Sequence, residues 1–78
     1  KYPISIRVEV EDRVGIIRDI SSIFVESKIN IIDFSQGEKE MENSILNFIV
    51  EIEYFDQLDS VLSNLEKVQS VRRAVKLN

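Results

Sequence analysis

The segment ISIRVEVEDRVGIIRDISSIF, residues 4–24, changes its apolar period from that of a strand to that of a helix. Apolar and polar residues alternate from Ile4 to Val10, which predicts a strand with one buried face. From about Val14 to Ser27 the apolar positions follow helical spacing and share one face. Those positions are Ile16, Ile17, Ile20, Ile23 and Phe24. The segment therefore predicts a strand followed directly by an amphipathic helix, with Asp12 placed to cap that helix.

A second strand–helix pattern occupies the rest of the chain. Residues 29–36 (INIIDFSQ) have the composition of a strand, and residues 37–43 (GEKEMEN) predict a polar turn. A long alternation then predicts the clearest strand, and Asp56 is placed to cap a second helix. The apolar positions of this strand and helix are Leu46, Phe48, Val50, Ile52, Tyr54, Leu58, Val61, Leu62 and Leu65. Residues 71–77 predict a last strand.

This order of elements predicts an α+β fold, a ferredoxin-like βαββαβ sandwich in which both helices cover one face of a four-stranded antiparallel sheet. We expect residues 1–78 to form this single domain. The predicted core consists of Val8, Val10, Ile20, Phe24, Phe48, Val50, Ile52, Val61, Leu62 and Leu65. Two registers stay open, because Ile31 and Phe34 cannot share a face without a bulge, and neither can Val71 and Ala74.

Composition excludes several kinds of chemistry. The 78 residues include no cysteine and no histidine, which removes thiolate and imidazole catalysis and the usual zinc ligands. The sequence has no glycine-rich phosphate loop, no serine nucleophile motif and no apolar run long enough for a membrane span. We therefore expect no catalytic residue, cofactor, metal or membrane partner. Because the chain begins with Lys1, we expect it to be a module of a longer protein.

Charge is distributed unevenly along the chain. Residues 1–66 carry 6 basic and 14 acidic residues, a net charge of −8, whereas residues 67–78 carry 4 basic residues and no acid. The basic residues Arg72, Arg73 and Lys76 either protect an edge strand from pairing, the favoured interpretation, or dock on an acidic partner. The exposed sheet positions of the central strands carry no aromatic residue, which argues against RNA binding on the sheet face.

The turn between the first strand and the first helix is the most suggestive site. Its sequence, Asp12-Arg13-Val14-Gly15-Ile16-Ile17, places a glycine beside a helix N-terminus, where free amides carry partial positive charge. Such a turn can receive a carboxylate or another anion at the backbone. The alternative interpretation, favoured from spacing alone, is a tight turn that simply requires glycine.

At this turn the sequence resembles the ACT domains, small regulatory modules of enzymes in amino-acid metabolism and signalling. The resemblance covers essentially the whole chain. It rests on the Asp12–Ile17 motif, on the pair Asn30-Ile31, and on Val68-x-x-Val71 before the last strand. Together with Arg72-Arg73, these motifs are most similar to the carboxy-terminal ACT domain of RelA/SpoT proteins, which make and hydrolyse guanosine tetra- and pentaphosphate.

The resemblance implies a homodimer, often an eight-stranded sheet, with a small ligand, typically an amino acid, at or near the interface. The implied ligand contacts are Asp12, Arg13, Val14, Gly15, Ile16 and Asn30. Gly15 and Ile16 would offer amides to a carboxylate, while Asp12 or Asn30 would hold the ammonium group or the partner chain. Many ligand-binding members have a neutral polar residue at the position of Asp12. In the alternative interpretation, Asp12 caps the helix and no ligand binds. Asn30 has a similar alternative as a left-handed turn residue.

Three functions follow from this resemblance. The first is a non-catalytic regulatory domain of a RelA/SpoT-type GTP pyrophosphokinase, in the cytoplasm, that senses a small ligand and controls the other domains of the parent enzyme. The second is a ligand-free module that dimerises or docks on the parent protein or the ribosome through Arg72, Arg73 and Lys76. The third is the ACT domain of an amino-acid biosynthetic enzyme.

Overall fold

A computed structural model describes residues 1–77 of the chain and confirms the βαββαβ order. The elements are β1 (Tyr2–Glu11), α1 (Ile16–Glu26), β2 (Asn30–Glu40), β3 (Asn43–Ile52), α2 (Asp56–Glu66) and β4 (Val71–Lys76). The four strands of the described chain form one antiparallel sheet in the order β2-β3-β1-β4, so β2 and β4 are its edges. Within residues 1–77, neither helix is long and apolar enough to cross a membrane.

The core lies between the two helices and one face of the sheet, the helix-side face. β1 and β3 pair in register over ten residues, and the helix-side partners include Ile6 with Phe48 and Val8 with Leu46. The Phe24 ring of α1 packs on Phe48 with ring centroids 5.2 Å apart. Nine of the ten predicted core residues are buried; Leu62 is only partly buried, because it lies at the margin of the α2 face formed by Leu58, Val61 and Leu65.

Two bulges resolve the open registers of the edge strands. In β2 the pairing with β3 passes from Ile31 to Asp33, and in β4 the pairing with β1 skips Arg72. A bulge adds one residue to a strand, so each side chain beyond it lies on the opposite face of the sheet from the one that simple alternation predicts. Ile31 and Phe34 therefore both lie on the helix-side face, as do Val71 and Ala74.

The predicted polar turn over residues 37–43 is wrong in its extent. β2 continues to Glu40, and only Met41 and Glu42 separate it from β3, with Met41 at φ 56°. A register shift between Gln36 and Lys39 sets two residues of β2 against one of β3, and pairing resumes beyond it. Polar residues are compatible with this strand because β2 is a largely exposed edge.

Neither predicted helix cap forms. α1 begins at Ile16, two residues later than predicted, and its N-cap is Gly15 without a side-chain hydrogen bond. Asp56 is the first residue of α2 rather than its cap. The Gln57 side-chain oxygen instead accepts hydrogen bonds from the amides of Glu53 at 2.9 Å and Tyr54 at 3.1 Å. These two bonds stabilise the turn that leads into α2.

Truncation of the central aromatic residue tests this core. We expect Phe48→Ala to lower the free energy of unfolding by about 3–5 kcal/mol, because the cavity opens between β3 and α1. The matched change Tyr54→Ala removes an exposed ring and should cost less than about 0.5 kcal/mol. Urea unfolding followed by circular dichroism measures both. Equal losses for the two variants would contradict the assigned core.

Candidate functional site

The turn between β1 and α1 has the backbone geometry of an anion-binding site. Gly15 adopts φ 85° and ψ 0°, a left-handed conformation that favours glycine. The first amides of a helix have no partner within the helix, and α1 has no side-chain cap within the described chain. The Ile16 side chain is buried beneath the turn, whereas Val14 is 97% exposed. The expectation that Ile16 offers its amide to a ligand is wrong, because this amide donates to the Arg13 carbonyl at 3.3 Å. Among the described residues, the free amides of the turn are those of Gly15, Ile17 and Arg18.

Two guanidinium groups flank the open side of Gly15. A Cβ atom at this position would lie 3.0 Å from Nη2 of Arg18 and 3.7 Å from Nη1 of Arg13. The Arg18 guanidinium thus lies close over the Gly15 backbone, and it has to move slightly for a small group to contact both arginines and the backbone. Arg18 is 79% exposed and can turn toward such a group. Sequence reasoning missed Arg18 because helical periodicity places it on the polar face of α1.

Arg13 joins three segments around this turn. Its guanidinium donates to the Gln69 carbonyl from Nε at 3.3 Å and from Nη2 at 3.0 Å, and Nη2 also contacts Oδ2 of Asp19 at 2.8 Å. Nη1 donates to the Val14 carbonyl at 3.1 Å. Arg13 therefore fixes the turn against α1 and against the connection between α2 and β4.

Asp12 is paired with a lysine and does not cap α1. Its Oδ2 lies 2.8 Å from Nζ of Lys39 on β2, and its amide donates to the Glu42 carbonyl at 2.7 Å. The hydrogen bond from Lys39, and then its charge, lower the pKa of Asp12, while Asp12 raises the pKa of Lys39. Lys39 thus offsets the negative charge of Asp12, the residue that the sequence has where a neutral polar side chain is expected for ligand binding.

Charge around Gly15 is positive on balance. The Asp19 carboxylate contacts both Arg13 and Arg18, and the hydrogen bond from Arg13 is the largest cause that lowers the pKa of Asp19. One carboxylate is therefore shared by two guanidinium groups. The remaining positive charge and the free amides favour an anionic group, such as a carboxylate, at Gly15.

Asn30 lies at the other end of the sheet. It pairs with Glu51, which also pairs with Pro3 near the start of β1, whereas the Gly15 turn follows the end of β1. The two places are about 25 Å apart at strand spacing. The Asn30 amide donates to the Glu51 carboxylate at 3.4 Å. The left-handed interpretation of Asn30 is wrong, since Lys28 is the residue at φ 59° and Asn30 begins β2.

The three basic residues of β4 have different surroundings. Arg72, at the bulge, donates to the Glu11 carboxylate at 3.2 Å. Arg73 and Lys76 are exposed and form no ion pair within residues 1–77. Arg73 pairs in register with Glu9, and Lys76 with Ile6.

Three clefts of the described residues have no residue of the Gly15 turn in their lining, and the largest of the three, about 520 Å³, lies beside Met41 and Arg72. One of about 310 Å³, by the β2–β3 hairpin, includes Glu9, Glu38, Glu40 and Arg72 in its lining. Another of about 160 Å³ includes Ser5, Asp33 and Asn47. Among residues 1–77, no group of three acidic side chains is arranged to hold a metal ion. The Gly15 site is an open surface rather than an enclosed cavity, and a second surface would be needed to cover a ligand there.

Comparison with known proteins agrees with this fold. Residues 1–75 match the family model of the ACT domain, so the chain belongs to the ACT domain family. The chain is 30% identical over 78 residues to the GTP pyrophosphokinase of Escherichia coli K12. That match includes 99% of this chain and 10% of the relative, and the chain spans about a tenth of the length of the curated relatives it matches.

Solved structures share the fold. The ACT domain from the GTP pyrophosphokinase of Chlorobium tepidum superposes with a TM-score of 0.82 at 24% identity, covering 97% of each chain. The small subunit of acetolactate synthase from Thermotoga maritima superposes with a TM-score of 0.84 at 16% identity, covering 97% of this chain and 47% of that one. The predicted resemblance to GTP pyrophosphokinase ACT domains is confirmed, and the fold also occurs with a biosynthetic enzyme.

The Arg13–Asp19 pair predicts a specific dependence on pH. A carboxyl group whose pKa is lowered by folding stabilises the protein above its unfolded pKa of about 3.9. That stabilisation is lost as the pH falls through the lower folded pKa. Asp19→Asn should therefore show a shallower loss of stability in acid than the wild type. Thermal unfolding across this pH range measures the difference, and an unchanged slope would contradict the pairing.

Arg13→Ala tests the same contact from the other side. It should raise the pKa of Asp19 toward its ordinary value, which an NMR titration of the carboxyl group follows. It should also cost about 1 kcal/mol of stability through the lost hydrogen bonds to Gln69. Arg72→Ala, which removes an arginine paired with Glu11, is the control and should leave the pKa of Asp19 unchanged.

Proposed function

We propose that this chain is the non-catalytic regulatory ACT domain of a GTP pyrophosphokinase and that it binds a small zwitterion, an amino acid, between two copies of itself. The observation that carries the proposal is the Gly15 turn, where free amides and two guanidinium groups surround a position without a side chain. The similarity of the chain to parts of GTP pyrophosphokinases supports the identity of the parent enzyme.

The carboxylate end of the ligand fits this turn. Asp12 would repel it if its charge were free, but Lys39 lies 2.8 Å away. Asp12 is therefore a poor candidate for the ammonium end, and we assign that end to Asn30 and the neighbouring Glu51 of a second copy. The amide oxygen of Asn30 and the Glu51 carboxylate are acceptors that suit an ammonium group.

Two copies are needed to bring these groups together. In one chain the Gly15 turn and Asn30 lie at opposite ends of the sheet. When two β2 edges pair antiparallel about a two-fold axis, Asn30 of one copy lies beside the Glu40 end of the other β2. Lys39, next to Glu40, contacts Asp12 and so links that end of β2 to the Gly15 turn. A symmetric pair thus creates two composite sites in an eight-stranded sheet.

Exposed apolar side chains along the β2 edge support this pairing. Phe34 and Ile32 on β2 and Ile17 on α1 remain 38–49% exposed. Ile17 lies two positions from Asp19 and so on the opposite flank of α1, away from the Arg13 and Gln69 contacts on the β4 side. Burial of such side chains in a second copy would contribute the hydrophobic part of the association.

Regulation would follow from linkage. A ligand that binds only the paired arrangement stabilises that arrangement by its differential affinity, and the balance between synthesis and hydrolysis in the parent enzyme shifts by no more than this amount. The domain itself has no imidazole or thiol for catalysis, which supports a regulatory rather than a catalytic role.

A titration with a panel of amino acids, followed by amide NMR, tests the ligand site. We expect saturable shifts at residues 12–17 and at Asn30. Arg18→Ala should weaken binding about tenfold, the effect of one lost charge-assisted contact. Arg73→Ala removes an arginine from the far edge and should bind normally. Equal affinity in the two variants would place the ligand elsewhere.

Sedimentation tests the pairing of two copies. Ile17→Glu introduces a charge beside β2 and should shift the equilibrium to the monomer, because a buried carboxylate without a partner is costly. Val25→Glu is the matched control, since Val25 is 72% exposed on the back of the same helix. Circular dichroism confirms that both variants fold. A dimer that withstands Ile17→Glu would rule out the β2 edge.

The second candidate function is docking without a ligand. The exposed side chains of Arg73 and Lys76 favour it, and an acidic surface of the parent protein or the ribosome would be the partner. A folded protein that associates but shows no shift with any amino acid would favour this function. Docking through these two charges should weaken with salt, whereas pairing through Ile17 and Phe34 should be far less sensitive.

A further inference from the structure

The edge strand β4 is closed at its centre by a side chain from α2. The Ala74 amide donates to Oε2 of Glu66 at 3.1 Å. Ala74 is buried, so this amide has little access to water. Glu66 is the last residue of α2, and its carboxylate reaches past the connection to β4 to make the contact.

The contact lies on the free edge of the sheet. The Leu77 amide donates to the Ser5 carbonyl at 2.8 Å, so the amide of Leu77 points toward β1. Because successive amides of a strand alternate in direction, those of Lys76 and Ala74 point away from β1. The Glu66 carboxylate therefore occupies the place that a carbonyl oxygen of a fifth strand would take.

We infer that Glu66 prevents strand addition at β4, and that the strand it excludes is β2 of another copy of this chain. Direction permits the pairing: β2 and β4 are antiparallel to each other in one sheet, so a second copy placed alongside presents its β2 antiparallel to β4. Such contacts join unlike edges, do not close and produce an open row of molecules.

Charge also selects β2 as the excluded strand. β4 carries Arg72, Arg73 and Lys76, three positive charges and no acid. β2 carries three acidic residues and one lysine, a net charge of −2. Two β4 edges would repel each other, whereas β4 attracts the β2 edge of another copy. The basic residues, expected from the sequence to protect this edge, therefore repel a second β4 but attract β2, and this is the pairing that the Glu66 carboxylate has to prevent.

β2 is less well closed. The Phe34 amide donates to Oδ1 of the adjacent Asp33 at 2.9 Å, an exposed contact within the same strand. β2 has eleven residues and β4 only six. One contact at the centre of β4 therefore closes a larger share of that short strand than one contact closes of β2. The β2 edge remains available for symmetric pairing.

Glu66→Ala tests the inference. It removes the acceptor, and we expect assemblies larger than those of the wild type, with about a tenfold higher constant for self-association at low salt. Glu66→Gln keeps a side-chain oxygen acceptor and should behave like the wild type. Glu26→Ala is the matched control, because Glu26 ends α1 in the same way without contacting β4. Sedimentation across a dilution series measures all three.

A second pair of variants identifies the excluded strand. Addition of Arg73→Glu and Lys76→Glu to Glu66→Ala should remove the larger assemblies, since the acidic β2 edge would then be repelled. Glu66→Asp, whose carboxylate is one methylene shorter, should also assemble and serves if Glu66→Ala fails to fold. The inference would be overturned if Glu66→Ala sedimented in the same way as Glu26→Ala. If Glu66→Ala does not fold, Glu66→Asp takes its place in this comparison.

These results are independent of ligand binding and of the wild-type dimer. The readout is the appearance of species beyond those of the wild type, whatever its own state of association. Loss of the dimer in Ile17→Glu concerns the proposed function, whereas unchanged assembly in a folded Glu66 variant concerns only the closure of β4.

Discussion

The central strands β1 and β3 hold the sheet together, and their pairing sets the position of every other element. These strands pair over ten residues without interruption, and apart from Tyr2 at the start of β1 their helix-side residues are almost completely buried. β1 is also the strand against which β4 forms, and β3 is the strand against which β2 forms. A shift of one residue in this pair would turn the apolar face toward solvent. The register therefore fixes where both edges and both turns lie.

The Gly15 turn shows how the fold converts a charged sequence into a compensated site. Four charged residues in Asp12–Asp19 belong to two networks. Asp12 pairs with Lys39, while Asp19 is shared between Arg13 and Arg18. One network neutralises the turn on its β2 side, and the other leaves positive charge beside the free amides of α1. The turn is therefore held by three elements and remains open to an anion at Gly15.

The two edges of the sheet differ in charge and in closure. β2 is long, acidic and flanked by exposed apolar side chains, which suits a symmetric interface. β4 is short and basic, and its central amide is bound to Glu66. A module that pairs through one edge has to keep the other from joining, since two open edges of opposite charge would lead to continued assembly. The single hydrogen bond from the Ala74 amide to Glu66 closes β4, while the β2 edge stays open.

The order of the elements and nine of the sixteen buried apolar residues of the described chain could be predicted from the sequence, because the periods of two and 3.6 residues record which side chains avoid water. The sequence also identified Gly15, whose backbone conformation favours glycine. The bulges at Ile32 and Arg72, the partner of Asp12, the closeness of Arg18 to Gly15 and the separation of Asn30 from the turn emerge only when the strands are assembled into the sheet. Those features depend on which strands become neighbours. Lys39 is 27 positions from Asp12, and Glu66 meets Ala74 across a turn, so no local pattern records either contact.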